Sequence, residues 1–223
     1  MRPEVKIVES SNDAVIDLLG VLAYGELIGF ERLAEDAHLA PTIPDKASLA
    51  ALAADEFAHY RLLTARLEAL GVAPEAAMDP FTVAIDAFHI ATAPSDWLEG
   101  LVKAYVGDGL ANDFYREIAE YVDESTRALV QQVVADNGHA QFVVDRVRLA
   151  IEEQPAVAGR LALWARRIVG EALAQAHRVA GSRPGLTALL AASGDDSLAE
   201  IGRMFTRLTE AHARRMATLG MSA

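Results

Sequence analysis

From Leu49 to Leu67 the chain carries neither glycine nor proline and is rich in alanine, and at its middle stands Glu56-Phe57-Ala58-His59. Three residues apart on a helix, Glu56 and His59 project from the same side, one turn from each other. The positions around Glu56 at helical spacing are Leu49, Leu52, Ala53 and Leu63. A carboxylate inside an apolar stripe is costly to bury unless its charge is compensated. A metal ion would compensate it, and a carboxylate and an imidazole at this spacing can bind the same ion. The pattern recurs as Asp136-Asn137-Gly138-His139, flanked by Leu129, Val133 and Val143.

The donor chemistry is bounded by composition. There is no cysteine, so disulfides, zinc–thiolate sites and thiol catalysis are excluded, and any metal must be held by carboxylates and imidazoles. Abundant alanine with only 6% aromatic residues favours closely packed helices. The first eleven residues lack the apolar stretch of a signal peptide, and no charge-free run approaches the roughly 18 residues that cross a bilayer. A cytoplasmic location with no membrane partner is therefore expected. A net charge of -12 argues against non-specific binding to nucleic acid. Residues 141–183 are nevertheless locally basic, with Arg146, Arg148, Arg160, Arg166, Arg167, Arg178 and Arg183 against four acids. That excess could meet phosphates, but ordinary solvated helix faces are the readier explanation.

Breakers divide the chain into helices. The first is expected from Ser11 or Asn12 to about His38, before Pro41 and Pro44, and the second from Asp45 or Ser48 to Leu70, ended by Gly71. Pro74, Pro80 and Pro94 mark a long crossover with a short helix near 80–89. The third helix is expected over about 95–122 and the fourth over about 123–153. A fifth follows Pro155 and ends before Gly181, and a sixth starts at the Ser197/Glu200 capping box and ends near Gly220. No segment alternates with period two, so no strand is expected. The fold class is all-α: one domain whose core bundle of four helices, about 11–153, has one long crossover of ferritin-like connectivity. Two additional C-terminal helices, about 155–220, pack outside it.

An acid three residues before a histidine is not by itself informative. Four of the six histidines have one (Glu35/His38, Glu56/His59, Asp86/His89 and Asp136/His139), where roughly one is expected by chance from 32 acids in 223 residues. Glu35/His38 falls in a terminal turn, where a histidine caps carbonyls, and Asp86/His89 falls in the crossover. The pairs at 56/59 and 136/139 fall inside expected long helices. A di-metal bundle needs one more carboxylate from each remaining helix. On the first helix Glu26 is flanked by Leu19, Leu22, Ala23, Gly29, Phe30 and Leu33, whereas Glu31 has Glu35 and His38 beside it. On the third, Asp108 is flanked by Leu101, Ala104, Tyr105, Ala111 and Tyr115, whereas Asp113 has Arg116, Glu117 and Glu120. The expected metal ligands are thus Glu26, Glu56, His59, Asp108, Asp136 and His139, with Glu31 and Asp113 as alternatives. The same acids on solvated faces would be the bland explanation.

Tyr24-Gly25-Glu26, Glu56-Phe57-Ala58-His59-Tyr60, Tyr105 to Phe114 and Asp136 to Phe142 together resemble the actinobacterial ferritin-like proteins, which are grouped with the tRNA 2-methylthio-isopentenyladenosine hydroxylases. The resemblance extends to Leu161–Arg167 and Gly170-Glu171-Ala172. It implies a non-haem enzyme with two iron ions, manganese being the alternative metal, that uses dioxygen to hydroxylate an allylic carbon of a modified adenosine. It would need the tRNA anticodon stem-loop and an electron donor as partners, and a homodimer is expected. Two other functions fit the same residues: peroxide or iron handling of the ferritin or manganese-catalase type, and a bundle with a vestigial site used for interactions.

Overall fold

A computed structural model describes residues 12–135, 139–183, 185–186 and 197–223; at His139, Ala140 and a few positions near 200 only the backbone is described. Among these residues there are helices and turns but no strand. Residues α1 (Asn12–Asp36) and α2 (Ile43–Ala69) form the first hairpin. The crossover holds α3 (Pro74–Met78) and α4 (Thr82–Ala91). The second hairpin runs through α5 (Trp97–Lys103), a π-helical turn (Ala104–Asp108), α6 (Gly109–Ala119), α7 (Glu124–Val133) and α8 (His139–Glu153). Then α9 (Val157–Ser182) packs on α4, α5 and the π turn, and α10 (Ser197–Thr218) packs on α6 and the π turn. This is the expected all-α bundle with one crossover and two added helices.

Local chemistry sets the boundaries. Thr42, not Asp45 or Ser48, caps α2: its hydroxyl oxygen accepts the Asp45 N–H at 3.2 Å and donates to the Asp45 carboxylate at 2.6 Å. Pro44 therefore sits in the first turn, where the missing N–H costs nothing. Gly71, at φ 77°, closes α2, with Val72 N–H reaching back to Leu67 carbonyl at 3.0 Å. Asp96 caps α5 by accepting the Glu99 N–H at 2.9 Å. Two expectations need correction. The third rod is not α-helical throughout, because the π turn interrupts it. The fourth is not one helix: α7 ends at Val133 and α8 begins at His139. The intervening Asp136-Asn137-Gly138 joins three weak helix formers, and these three residues lie outside the described set. The capping box expected of Ser197 and Glu200 falls on side chains outside the description, and α10 is described from Ser197 onward.

The apolar interior is split into two. One core gathers Leu18, Leu19, Leu22 and Ala23 of α1, Leu63 and Leu67 of α2, Phe81, Ile118 and Ala119 of α6, and Val130 and Val133 of α7. The other gathers Leu33 of α1, Leu49 and Ala53 of α2, Leu101, Val102 and Val106, Val143, Val144 and Val147 of α8, and Trp164 and Ile168 of α9. Each fully buried leucine here contributes about 1.5–3 kcal/mol of transfer free energy. Both cores draw on α1, α2 and the third rod, and on each of these the stripe breaks midway: between 23 and 33, between 53 and 63, and between 106 and 118. The breaks hold Glu26, Glu56 with His59, and Asp108.

Candidate metal centre

Glu26 is only 8% exposed although it carries a carboxylate. His59 Nδ1 lies 3.2 Å from its Oε2. Glu26, Glu56 and His59 offer ligand-type atoms that all lie within 4.8 Å of one another, the one such group among the described residues. Gly29, one turn along α1 from Glu26, makes room for this: a Cβ there would stand 3.2 Å from Glu56 Oε2. A small residue on α1 thus lets the longer acid of α2 reach the same level as Glu26.

The carboxyls are electrostatically crowded. Burial pushes the Glu26 carboxyl up to about 7; the side-chain hydrogen bond with Glu56 works against this rise and the charge of Asp108 adds to it. Glu56 is raised well above the ordinary carboxylate value, first by burial and then by the charge of Glu26. Asp108 is raised likewise by burial and by Glu56, with Lys103 opposing. Asp108 is exposed, so solvent offsets part of the rise that the surrounding atoms impose on its carboxyl. The phenol of Tyr115 is pushed above its usual range by burial and by Glu26 and Asp108, and a Cβ on Gly25 would lie 3.8 Å from its hydroxyl oxygen. Tyr115 therefore faces the same space. Three acids that resist ionisation together, beside an imidazole, form a set that a multivalent cation would neutralise.

Of the six residues expected from sequence, the structure brings Glu26, Glu56 and His59 together and couples Asp108 to them electrostatically. Asp136 and the side chain of His139 lie outside the described residues. The alternatives stand elsewhere. Glu31 is exposed, 3.9 Å from Arg32, and Asp113 is ion-paired with Arg116 at 3.1 Å and with Arg215. His38 is exposed and contacts the Glu35 carbonyl at 3.1 Å, as a terminal-turn histidine should. Tyr24 donates to Asp86 at 2.7 Å rather than to the centre.

One group escaped the sequence reading. Lys103 is 6% exposed, its Nζ has no hydrogen-bond partner, and it lies 5.7 Å from the Phe88 ring centroid. Burial lowers its pKa to about 8, with Asp36 and Asp108 opposing the fall. Burial, and then Lys103 and Arg32, lower nearby His89 to about 3, so this imidazole is neutral. At helical spacing from Lys103 lie Gly100, Val106 and Gly107 but also Glu99, the charged neighbour of an ordinary solvated lysine, so spacing gives only a weak signal here.

A bundle of two helical hairpins joined by a crossover, with carboxylates and an imidazole in a polar layer between two apolar cores, defines the ferritin-like class. Residues 9–193 match the family model described as the ferritin-like domain of actinomycetes, and the chain belongs to that family. No curated protein matches it. Among the described residues no helix is long and apolar enough to cross a membrane.

Proposed function

We propose that the chain holds two iron ions, with manganese the alternative metal, and uses them in a dioxygen-dependent oxidation. Glu26, Glu56, His59 and Asp108 would be ligands, with Asp136 and His139 completing the set from the fourth rod. The observation that carries this reading is the convergence of Glu26, Glu56 and His59 within 4.8 Å inside a ferritin-like bundle. Carboxylate oxygen and imidazole nitrogen suit iron and manganese, and the absence of cysteine removes the softer alternatives. Bound there, the metal pair would supply the redox chemistry that reduces dioxygen, with two further electrons from an external donor when the reaction is a hydroxylation.

The chain's own residues prepare the centre. In the metal-free protein the hydrogen bond between Glu26 and Glu56 holds a proton, which leaves when a cation takes its place. The apolar cores close the polar layer off at either end, and the Tyr115 hydroxyl offers a proton donor at its edge.

For the substrate, the sequence resemblance points to a prenylated adenosine in tRNA. The basic segment gives this limited support. Arg146 pairs with buried Asp45 at 2.7 Å, Arg160 with Asp96 at 2.8 Å and Glu99 at 2.5 Å, and Arg183 with Asp17. Exposed Arg148, Arg167 and Arg178 remain for phosphate contact. That internal neutralisation favours a second reading, oxidation of a small molecule or handling of peroxide at the same centre.

The deciding experiment is metal analysis after anaerobic reconstitution with iron(II), followed by oxygen uptake by the reduced protein. Two ions per chain are expected, and less than about half an ion per chain would defeat the proposal.

A further inference from the structure

Asp108 ends the π-helical turn, and the next residue, Gly109, is held by the C-terminal helix. Arg215 of α10 donates from Nη2 to the Gly109 carbonyl at 3.0 Å and to the Asp113 carboxylate. Its side chain is 12% exposed and lies flat on the backbone: a Cβ on Gly109 would stand 2.7 Å from the Arg215 Cζ and 2.9 Å from its Cδ. Any residue but glycine at 109 would displace the guanidinium. The following residues anchor the arginine, since Met216 and Leu219 are fully buried in the same core as Val106 of the π turn. Asp113, one turn beyond Gly109, also takes Arg116, whose other nitrogen donates to the carbonyl of Val134 at the end of α7.

A π turn has poorer hydrogen-bond geometry than an α turn and persists where its surroundings hold it. Arg215 supplies such a hold at the peptide next to Asp108. We infer that Arg215 is a positioning residue for the metal centre: through Gly109 it fixes the end of the π turn and so sets where the Asp108 carboxylate stands relative to Glu26 and Glu56. The inference rests on the metal-binding reading above. It also makes α10 a working part of the centre, although α10 begins at Ser197, beyond the residues 9–193 that define the family domain. Groups around a metal's ligands typically alter affinity by about 10–100-fold when removed.

The test uses the full chain and cobalt(II) as a spectroscopic probe, titrated by its visible absorption, with thermal melting alongside. Arg215→Met should weaken cobalt binding by about tenfold or more and change the absorption envelope. Arg215→Lys, which can still reach one carbonyl, should restore part of both. Gly109→Ala, which pushes the guanidinium away without removing it, should reproduce the Met variant and serves if that variant does not fold. Arg207→Gln is the control. Arg207 joins α10 to Glu117 of α6 at 2.6 and 2.8 Å, well away from Gly109, so its loss should leave the spectrum unchanged. If wild type binds cobalt and Arg215→Met and Gly109→Ala bind it with the same affinity and spectrum, the inference is overturned while the metal reading stands. Equal losses in Arg207→Gln and Arg215→Met would also overturn it, since docking of α10 alone would then explain both. A wild-type protein that binds no cobalt would remove the metal reading, and this inference with it.

Discussion

His59 Nδ1 stands 3.2 Å from Glu26 Oε2, and this contact joins α1 to α2 where each helix interrupts its apolar stripe. If the contact belongs to a metal centre, the residues on either side of it must behave as ligands. Glu56→Gln and His59→Ala should each reduce bound iron to less than half the wild-type content, measured by mass spectrometry after reconstitution. Glu31→Ala should retain it, because Glu31 is exposed beside Arg32.

Asp113→Ala is expected to act differently. Asp113 links Arg116 and Arg215, so its loss leaves two arginines without their shared acid. A cost of about 1 kcal/mol in unfolding free energy is expected, because each arginine keeps a carbonyl partner, Val134 for Arg116 and Gly109 for Arg215. Denaturant titration would register it. A variant as stable as wild type would show that the pairs contribute nothing net.

Stability of the metal-free protein should fall as pH rises. Burial pushes the folded Glu26 carboxyl up to about 7, whereas in the unfolded chain it has the ordinary glutamate value of 4.5. Between those values the native state binds more protons than the unfolded state, so unfolding free energy decreases with pH. This contribution is complete below the unfolded value and gone above the folded one. The melting temperature of the metal-free protein should therefore drop between pH 5 and 8, and Glu26→Gln should flatten the drop. A melting temperature that rises over this range would contradict the burial of the carboxyl pair.

Gly29→Ala sets two effects against each other. On an exposed helix site the change would stabilise by about 0.5–1 kcal/mol. Here the new methyl carbon would stand 3.2 Å from Glu56 Oε2, tighter than ordinary contact. Weaker iron binding with a nearly unchanged melting temperature is the expected balance. Wild-type affinity would mean that Glu56 has room to move aside.

The tRNA reading has its own test in the exposed arginines. If an anticodon stem-loop binds, reversing Arg148 and Arg178 to glutamate should weaken it and reduce the salt dependence, because each phosphate contact releases counterions. Arg146→Glu is the wrong variant for this purpose. It would leave Asp45, 3% exposed, facing a like charge, and its effect would be on folding. No binding by wild type at low salt would end the tRNA assignment and leave a small substrate.

Much of this was readable from spacing. Leu49, Ala53 and Leu63 around Glu56, and Leu22, Ala23 and Leu33 around Glu26, are all buried, so helical periodicity correctly phased two helices onto a common interior. Periodicity cannot register a change of helix type. The π turn before Asp108 adds no breaker to the sequence, and the third rod therefore read as uniform. It also says little about which arginines are neutralised, because Arg146 meets Asp45 and Arg183 meets Asp17 across long stretches of chain. Lys103 is hidden for a different reason: Glu99, one turn before it, gives it the charged neighbour of a solvated lysine, although its side chain is buried.

The π turn also gives the third rod a tolerance of length. Five residues there complete what an α-helix would complete with about four. Deleting one residue between Ala104 and Gly107 would let the rod relax into unbroken α-helix, a change that secondary-structure measurements would barely register. The Asp108 carboxylate would keep nearly its direction around the helix axis relative to Lys103, because the residue removed is the one the π turn holds in excess. The same deletion in regular helix, between Gly109 and Asp113, would instead rotate all that follows by about 100°. The π turn is thus a place where the third rod can lose a codon and still present its acid to the centre.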